Sequence, residues 1–155
     1  MLARTALLFL LAGCGGEPKA FVHVHDPCEP LALVPAADAT DQQRASVRDA
    51  IDMWNAVAAT QLTLEPTLDS LPIVFEDSDL YLGYYDDEAQ VVRLARRVNE
   101  QRAMAVVLAH ELGHSFDLYH VKGRDSVMNT GNWEIAPLAT DAQDLEAVWG
   151  LCVHR

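Results

Sequence analysis

The chain has 155 residues, of which 50% are apolar and 22% are charged. This length suits one compact domain and is too short for two, and the composition is that of a globular rather than a disordered protein. A formal net charge of −12 argues against nucleic acid as a partner, because phosphate backbones recruit Lys and Arg.

The N-terminus has the pattern of a signal peptide over residues 1–13. Its apolar run, residues 6–12, is too short to span a bilayer. The run ends in Leu11-Ala12-Gly13-Cys14, which resembles the lipobox of bacterial lipoproteins. The resemblance implies cleavage before Cys14, a lipid on its thiol, a tether over residues 14–20, and, because Gly15 follows, the outer membrane of a two-membrane cell. An ordinary signal peptide cut at a nearby small residue is the alternative.

Two cysteines then remain, Cys28 and Cys152. An even number of cysteines in an exported protein indicates a disulfide, which here would close almost the whole domain into one loop. The alternatives are two free thiols, or a Cys28 that acts on a metal.

The first half of the domain alternates between strand and helix patterns. Residues 21–25 alternate in polarity as a strand does. Thr40 and Gln43 form a capping box that opens a helix, and the one-sided apolar stripe of this helix predicts that it lies against a sheet. Further strands are predicted at 62–64 and 73–75, with a hairpin that joins 81–85 to 91–94.

The second half contains two more predicted helices. Asn99 is predicted to cap the first, over residues 100–116, and its stretch 103–109 is apolar all round, which indicates a buried helix. The second is predicted to start at Thr140 and to stop at Gly150. This order of elements predicts an α+β domain over residues 21–155.

The sequence His110-Glu111-Leu112-Gly113-His114 lies on the predicted buried helix. Histidines four residues apart lie on one helix face, so both imidazoles can reach a single ion. Glu111 is displaced around the helix and can therefore hold a metal-bound water without binding the metal. His120 can supply a third ligand if the chain turns sharply at residue 117, and three histidines leave zinc the open position that catalysis requires.

The run from His110 to His120 resembles the metzincin zinc signature in all positions but one. Met128, eight residues after His120, matches the spacing of the Met-turn in matrixins, the branch that resembles matrix metallopeptidases. The resemblance implies one catalytic zinc, Glu111 as general base, and Met128 as a packing floor beneath the metal. It also implies a small twisted mixed sheet with a packed early helix, a buried active-site helix and a C-terminal helix.

Three positions depart from the family pattern. Asp117 replaces the glycine of the signature, where the backbone is expected to need a left-handed turn that Asp tolerates. Val121 stands where matrixins usually have Ser. Thr130 stands where some metzincins carry a Tyr that stabilises the transition state, which leaves that role unassigned.

Weaker candidates have simpler interpretations. His23 and His25 could bind a second metal, but an exposed strand edge is favoured. Calcium could bind among the acidic residues of the hairpin region, but no patterned calcium loop is visible and a solvated hairpin is favoured: Asp77, Asp79, Asp86 and Asp87. Cys28 faintly resembles a cysteine switch, although Cys152 is the better partner.

We therefore expect an exported, lipid-anchored, monomeric zinc metalloendopeptidase that acts on proteins or peptides. The first alternative is a surface lipoprotein that keeps the three zinc-binding histidines but no longer cleaves. The second is a structural lipoprotein in which the motif is fortuitous. Bound metal would exclude the structural lipoprotein. Turnover of a substrate would then distinguish the enzyme from the zinc-binding lipoprotein that no longer cleaves.

Overall fold

The computed structural model describes residues 20–152, so the predicted signal peptide, Cys14 and nearly all of the tether lie outside the described residues. The predicted α+β class is confirmed, with five strands in one mixed sheet and three helices in this part of the chain. The elements are β1 (Leu31–Pro35), α1 (Asp41–Val57), β2 (Leu62–Thr63), β3 (Asp69–Glu76), β4 (Gly83–Asp86), β5 (Val91–Ala95), α2 (Gln101–Ser115) and α3 (Ala139–Trp149).

The sheet has the strand order β2-β1-β3-β5-β4. Its inner strands pair in parallel, whereas β4 pairs antiparallel with β5 through the predicted hairpin. Among the described residues, the outer edge of β4 has no strand partner. Apart from the Tyr85 N–H, which bonds the Glu111 carboxyl group, the backbone groups of β4 that face away from β5 can bond an extended chain.

Helix α1 begins at the predicted capping box, in which Thr40 and Gln43 bond each other's backbone. The helix packs on α2, and Trp54 lies between them with its side chain fully buried. The indole Nε1 of Trp54 donates a 2.8 Å hydrogen bond to the carbonyl of Ala109. This bond satisfies the buried indole and fixes α1 to the turn of α2 that precedes His110.

Helix α2 is buried on nearly all sides, as its uniformly apolar stretch predicted. The predicted cap, Asn99, is wrong by one residue. Glu100 is the N-cap, and its carboxylate accepts hydrogen bonds from the backbone of Arg102 and Ala103. A carboxylate at this position also interacts favourably with the helix dipole, which explains why it displaces the neutral amide.

The predicted strand at residues 21–25 is wrong, because this segment does not join the sheet. Its backbone bonds elsewhere: Val22 donates to the Asp87 carboxylate, and His25 donates to the carbonyl of Ser115 at the end of α2. The predicted exposed edge is also wrong for His25, whose residue is 5% exposed and whose ring bonds the Asp69 carboxylate. The first strand is instead β1, a short run whose continuous burial hides the alternation on which the prediction relied.

The C-terminal region is attached to the rest of the domain by α3 and a disulfide. Helix α3 begins one residue before the predicted Thr140, because the Asp141 carboxylate accepts from the backbone of Leu138 and sets the first turn. The helix ends at Gly150, whose positive φ of 78° suits glycine.

A disulfide joins Cys28 to Cys152, with 5.2 Å between their Cα atoms. The two cysteines are 124 positions apart, so every described helix and strand lies within the loop that the bond closes. Between residues 20 and 152, no helix is both long enough and apolar enough to cross a membrane.

Candidate metal centre

A left-handed turn after α2 brings the third histidine back to the first two. The last helical residue is Ser115, and Asp117 has a φ of 65°, as the signature predicted for its glycine position. The backbone N–H of Leu118 bonds the carbonyl of Gly113, which closes the turn. Asp adopts this conformation at a lower cost than most residues, so the departure from glycine preserves the local geometry.

The imidazole rings of His110, His114 and His120 form one compact cluster. Their ring centroids are 4.8, 4.9 and 5.2 Å apart, and their ligand nitrogens all lie within 4.8 Å of one another. The Nε2 atoms of His110 and His120 are 3.2 Å apart. Two nitrogens bound to one tetrahedral zinc lie about 3.3–3.4 Å apart, given Zn–N distances of about 2.0–2.1 Å. The three side chains can therefore hold a metal ion.

Backbone carbonyls fix the tautomers of two of these histidines. Nδ1 of His110 lies 2.7 Å from the carbonyl of Val127, and Nδ1 of His114 lies 2.8 Å from that of Leu118. A carbonyl can only accept a hydrogen bond, so each Nδ1 carries the proton. The lone pair is therefore on Nε2, and both rings are oriented as ligand histidines usually are.

The surroundings of the cluster keep the imidazoles neutral. Burial lowers the pKa of His114 to about 4, and the charge of His110 acts in the same direction. Burial is also the main cause of the lowered pKa of His110 and of His120. Since only a neutral imidazole binds a metal, the protein arranges the protonation state that a cation requires.

Glu111 lies beside the cluster but does not belong to the ligand set. It is 6% exposed, and its Oε2 accepts a 3.0 Å hydrogen bond from the backbone N–H of Tyr85 in β4. Burial raises the pKa of the Glu111 carboxyl to about 8, against the smaller opposing effect of that bond. A nearby divalent cation would lower this pKa by favouring the charged form.

The strand β4 approaches Glu111 closely because Gly83 lacks a side chain. A Cβ at Gly83 would lie 2.6 Å from Cγ1 of Val107 and 2.8 Å from the Glu111 side chain. Glycine at this position therefore lets the edge strand pass directly over the carboxyl group.

Met128 is fully buried and lies against the histidine helix. A Cβ at Gly113 would lie 2.2 Å from the Met128 sulfur, so the glycine makes room for the thioether against α2, next to His114 in the sequence. The full burial of Met128 is that of a packing residue.

We expect Gly113→Ala to lower the free energy of unfolding by about 1–3 kcal/mol, the usual cost of overpacking a core. Helix propensity alone would change the stability in the other direction by about 1 kcal/mol. Urea denaturation measures the difference. The matched control is the same substitution in a Met128→Ala background, where the sulfur is absent and alanine should stabilise the helix. A Gly113→Ala variant more stable than the original protein would contradict the close contact.

The turn that contains Met128 is fixed by Asp141 of α3. The Asp141 carboxylate is fully buried and accepts hydrogen bonds from the Ser126 hydroxyl and from the backbone of Val127 and Leu138. The carbonyl of the same Val127 accepts the Nδ1 proton of His110. The position of one histidine thus depends on a carboxylate that does not touch it.

The histidines open into a cleft of about 710 Å³ that follows β4. Phe21 forms one end, where its ring packs 5.4 Å from the ring of His114 and 5.3 Å from that of Tyr119. Arg97 lies at the other end, beside the segment that leads into β4. Thr130 also lines the cleft, at the position where the sequence left transition-state support unassigned.

Three residues of the site were not predicted from the sequence: Phe21, Arg97 and Asp141. The alternating pattern around Phe21 was interpreted as a strand, and nothing local distinguishes Arg97 from Arg96 beside it. Asp141 has a weak signal, since an acidic residue in the first turn of a helix commonly caps it.

The other metal-binding candidates are not assembled. Within residues 20–152, the three histidines are the one group of His, Cys, Asp and Glu side chains arranged to hold an ion. The side chain of His25 bonds Asp69, and that of His23 bonds the carbonyl of Asp87. Cys28 is in its disulfide, which excludes both the free thiol and the cysteine switch.

A comparison with protein-family models gives no match. A comparison with curated proteins likewise gives no match.

Proposed function

We propose that the protein is a zinc-dependent endopeptidase of the metzincin type, most similar in its signature to matrixins. The observation that carries the proposal is the pairing of three neutral imidazoles, two of them with Nε2 fixed as the ligand atom, with a buried carboxyl group in one cleft. His110 and Glu111 are both buried, and polar side chains are costly to bury unless they bind something.

The donor set suits zinc. Three imidazoles are a common catalytic zinc set, whereas calcium and magnesium prefer oxygen ligands. The ligand nitrogens here lie within 4.8 Å of one another, and the 3.2 Å between Nε2 of His110 and Nε2 of His120 is close to the tetrahedral spacing. Bound zinc would supply a Lewis acid that polarises the scissile carbonyl and lowers the pKa of water toward neutrality.

Glu111 is the general base in this proposal. Its Oε2 is held by the backbone of Tyr85, which leaves Oε1 to accept a proton from the attacking water. The same carboxyl group then donates the proton to the leaving amine nitrogen. Its burial excludes bulk water from this exchange.

The substrate is proposed to bind as an extended chain along the outer edge of β4. That edge borders the cleft, and it has no strand partner in the described part of the chain. A peptide that adds a strand there gains main-chain hydrogen bonds whatever its sequence. This mode of binding suits an endopeptidase that acts on unfolded proteins.

We also propose that the protein is exported and anchored by lipid at Cys14. The disulfide between Cys28 and Cys152 supports export, because such bonds persist in oxidising compartments. Its partners would then be a protein or peptide substrate and, through the lipid, a membrane.

The proposal is tested with the purified domain from Gly15 onward and a generic unfolded protein as substrate. We expect cleavage within the substrate chain, since residues 80–85 all line the cleft and an extended chain can lie along them. A zinc chelator should reduce cleavage to background, and one equivalent of zinc should restore it. Elemental analysis of the same preparation gives the zinc content.

The two measurements distinguish the alternatives. Zinc at one ion per chain without cleavage of varied peptides would replace the proposal with a non-catalytic zinc-binding lipoprotein. A chain that binds no zinc would leave the histidine motif without a metal and would reject both. Cleavage that the chelator does not affect would exclude the metal as the source of activity.

A further inference from the structure

Arg97 introduces a positive charge into a cleft whose other described lining residues are apolar, aromatic or polar apart from Glu111 and the histidines. Its Nε donates to the carbonyl of Ser78 at 2.9 Å, and its Nη2 donates to the carbonyl of Tyr81 at 3.2 Å. These bonds fix the guanidinium while Nη1 makes no hydrogen bond within residues 20–152. The group is therefore oriented and still able to donate.

The guanidinium charge is not neutralised by an ion pair in the described chain. Arg93, Arg96 and Arg124 each pair with a carboxylate, as expected in a protein with an excess of acidic residues. Asp77 and Asp79 flank Ser78, but Arg97 bonds only backbone carbonyls. A carbonyl carries only a partial negative charge, so the guanidinium keeps the capacity for a charge-assisted bond.

Arg97 lies on the edge of β4 that the substrate is proposed to use. The backbone N–H of Tyr85 points away from β5 toward Glu111, and the carbonyl of Leu82 points toward β5, where it bonds Ala95. Backbone groups alternate in direction along a strand, so the carbonyls of Tyr81 and Gly83 share the outer edge. Arg97 occupies that edge at Tyr81, two residues before Gly83, which is about 7 Å along the strand.

We propose that Arg97 binds a carboxylate of the substrate two or three residues to the C-terminal side of the scissile bond. Antiparallel pairing with β4 is the more stable and more frequent arrangement. In that arrangement the substrate runs from the Asp86 end of β4 toward the Tyr81 end, so the residues that reach Arg97 follow the scissile bond. The carboxylate belongs either to an acidic side chain or to the free C-terminus of the substrate. This inference rests on the proposed function.

The test uses the mature chain, produced with its own signal sequence and purified in detergent. Mass spectrometry of a peptide mixture first locates a scissile bond. Two sets of matched peptides are then made, in which one carboxylate is present or absent at each of the three positions that follow the scissile bond. One set exchanges Asp for Asn within a longer peptide, and the other ends at that position as a free acid or as an amide.

We expect the acid to exceed its neutral partner in kcat/KM by about 3–5-fold, the size of effect that an exposed charge pair provides, because Arg97 is exposed. Arg97→Gln should reduce this ratio to about 1–2, and Arg97→Lys, which keeps the charge, should retain part of it. Each ratio compares the acid and the neutral peptide with the same enzyme variant. A substitution that only disturbs residues 78–81 would slow both peptides alike and leave the ratio unchanged, whereas loss of carboxylate recognition would lower it. The matched control is Arg96→Gln, since Arg96 pairs with Asp38 and does not line the cleft.

A preference in the first peptide set would assign the carboxylate to a side chain, and a preference in the second would assign it to the C-terminus. Equal rates for acid and neutral peptides, or a preference that Arg97→Gln leaves intact, would overturn the proposal. If no peptide is cleaved, the proposed function fails instead. Extended peptides labelled with a fluorophore, each with one Asp or one Asn moved along the chain or with a free or amidated C-terminus, then test the site by binding anisotropy. Equal affinities for acid and neutral peptides at every position would overturn the proposal.

Discussion

Glu111→Gln is expected to lower kcat/KM for peptide hydrolysis by about 10²–10⁴-fold, the usual contribution of a general acid–base group. The glutamine has the same shape, and its carbonyl oxygen can still accept from the backbone N–H of Tyr85. It cannot take a proton from water at neutral pH. The substitution therefore removes the proton transfer and leaves the packing under Gly83 in place.

The loss of activity must occur in a folded, zinc-loaded protein if it is to identify the base. Zinc content and far-UV circular dichroism should match those of the original chain, because Glu111 is not in the ligand set. Glu146→Gln, a charge-neutralising change on α3 at a residue that does not line the cleft, is the matched control and should keep full activity. More than a tenth of the original activity in the Glu111→Gln variant would reject Glu111 as the base.

The metal-free proteins provide a second readout of the same substitution. The pKa of Glu111 is raised to about 8 by burial, so the folded chain holds a proton that the unfolded chain releases above about pH 4. Ionisation of the unfolded state should therefore destabilise the original chain, relative to Glu111→Gln, as the pH rises from about 4 to about 8. Urea denaturation at both limits measures this difference, which should be near zero at the acidic limit.

The parts of the fold that the sequence predicted are those encoded locally. The capping box of Thr40 and Gln43, the buried stretch 103–109 and the stop at Gly150 each depend on residues within one or two helical turns. The spacing of the histidine motif is local in the same sense, and the left-handed turn at Asp117 was expected from the glycine position of the signature that the motif resembles. Patterns of this range survive in almost any tertiary context.

The errors arise where partners distant in sequence decide the structure. Residues 21–25 alternate as a strand does, yet their backbone bonds the Asp87 side chain and the end of α2. β1 was missed because its first three residues are all buried, so its apolar run shows no alternation to detect. The positions of Arg97 and Asp141 follow from sheet order and helix packing, which a single sequence does not contain.

Asp141→Ala is expected to lower the free energy of unfolding by about 3–5 kcal/mol, which is at the high end for one substitution. The carboxylate is fully buried and satisfies the Ser126 hydroxyl and the backbone N–H groups of Val127 and Leu138. Alanine leaves all three donors without this acceptor, and each buried donor left unpaired costs about 1–3 kcal/mol. Urea denaturation of the metal-free protein measures the loss.

The matched control lies one helical turn away. Asp144 pairs with Arg124, the same arginine that approaches Asp141, but its side chain is 39% exposed. Asp144→Ala should therefore cost no more than about 1 kcal/mol, as exposed ion pairs do. Comparable losses in the two variants would mean that the shared arginine, rather than the buried hydrogen bonds, accounts for the effect.

Val127 links the carboxylate to the site: its N–H bonds Asp141 and its carbonyl fixes the Nδ1 proton of His110. Loss of such a supporting contact typically weakens metal binding by about 10–100-fold. We therefore expect Asp141→Ala, which removes the acceptor, to bind zinc at least about 10-fold more weakly in competition with a chelator. Asp141→Asn keeps an acceptor for the Val127 N–H, so it is the matched control and should bind zinc as the original chain does. An unchanged zinc affinity in Asp141→Ala would confine Asp141 to stabilising the turn and leave His110 fixed by the helix alone.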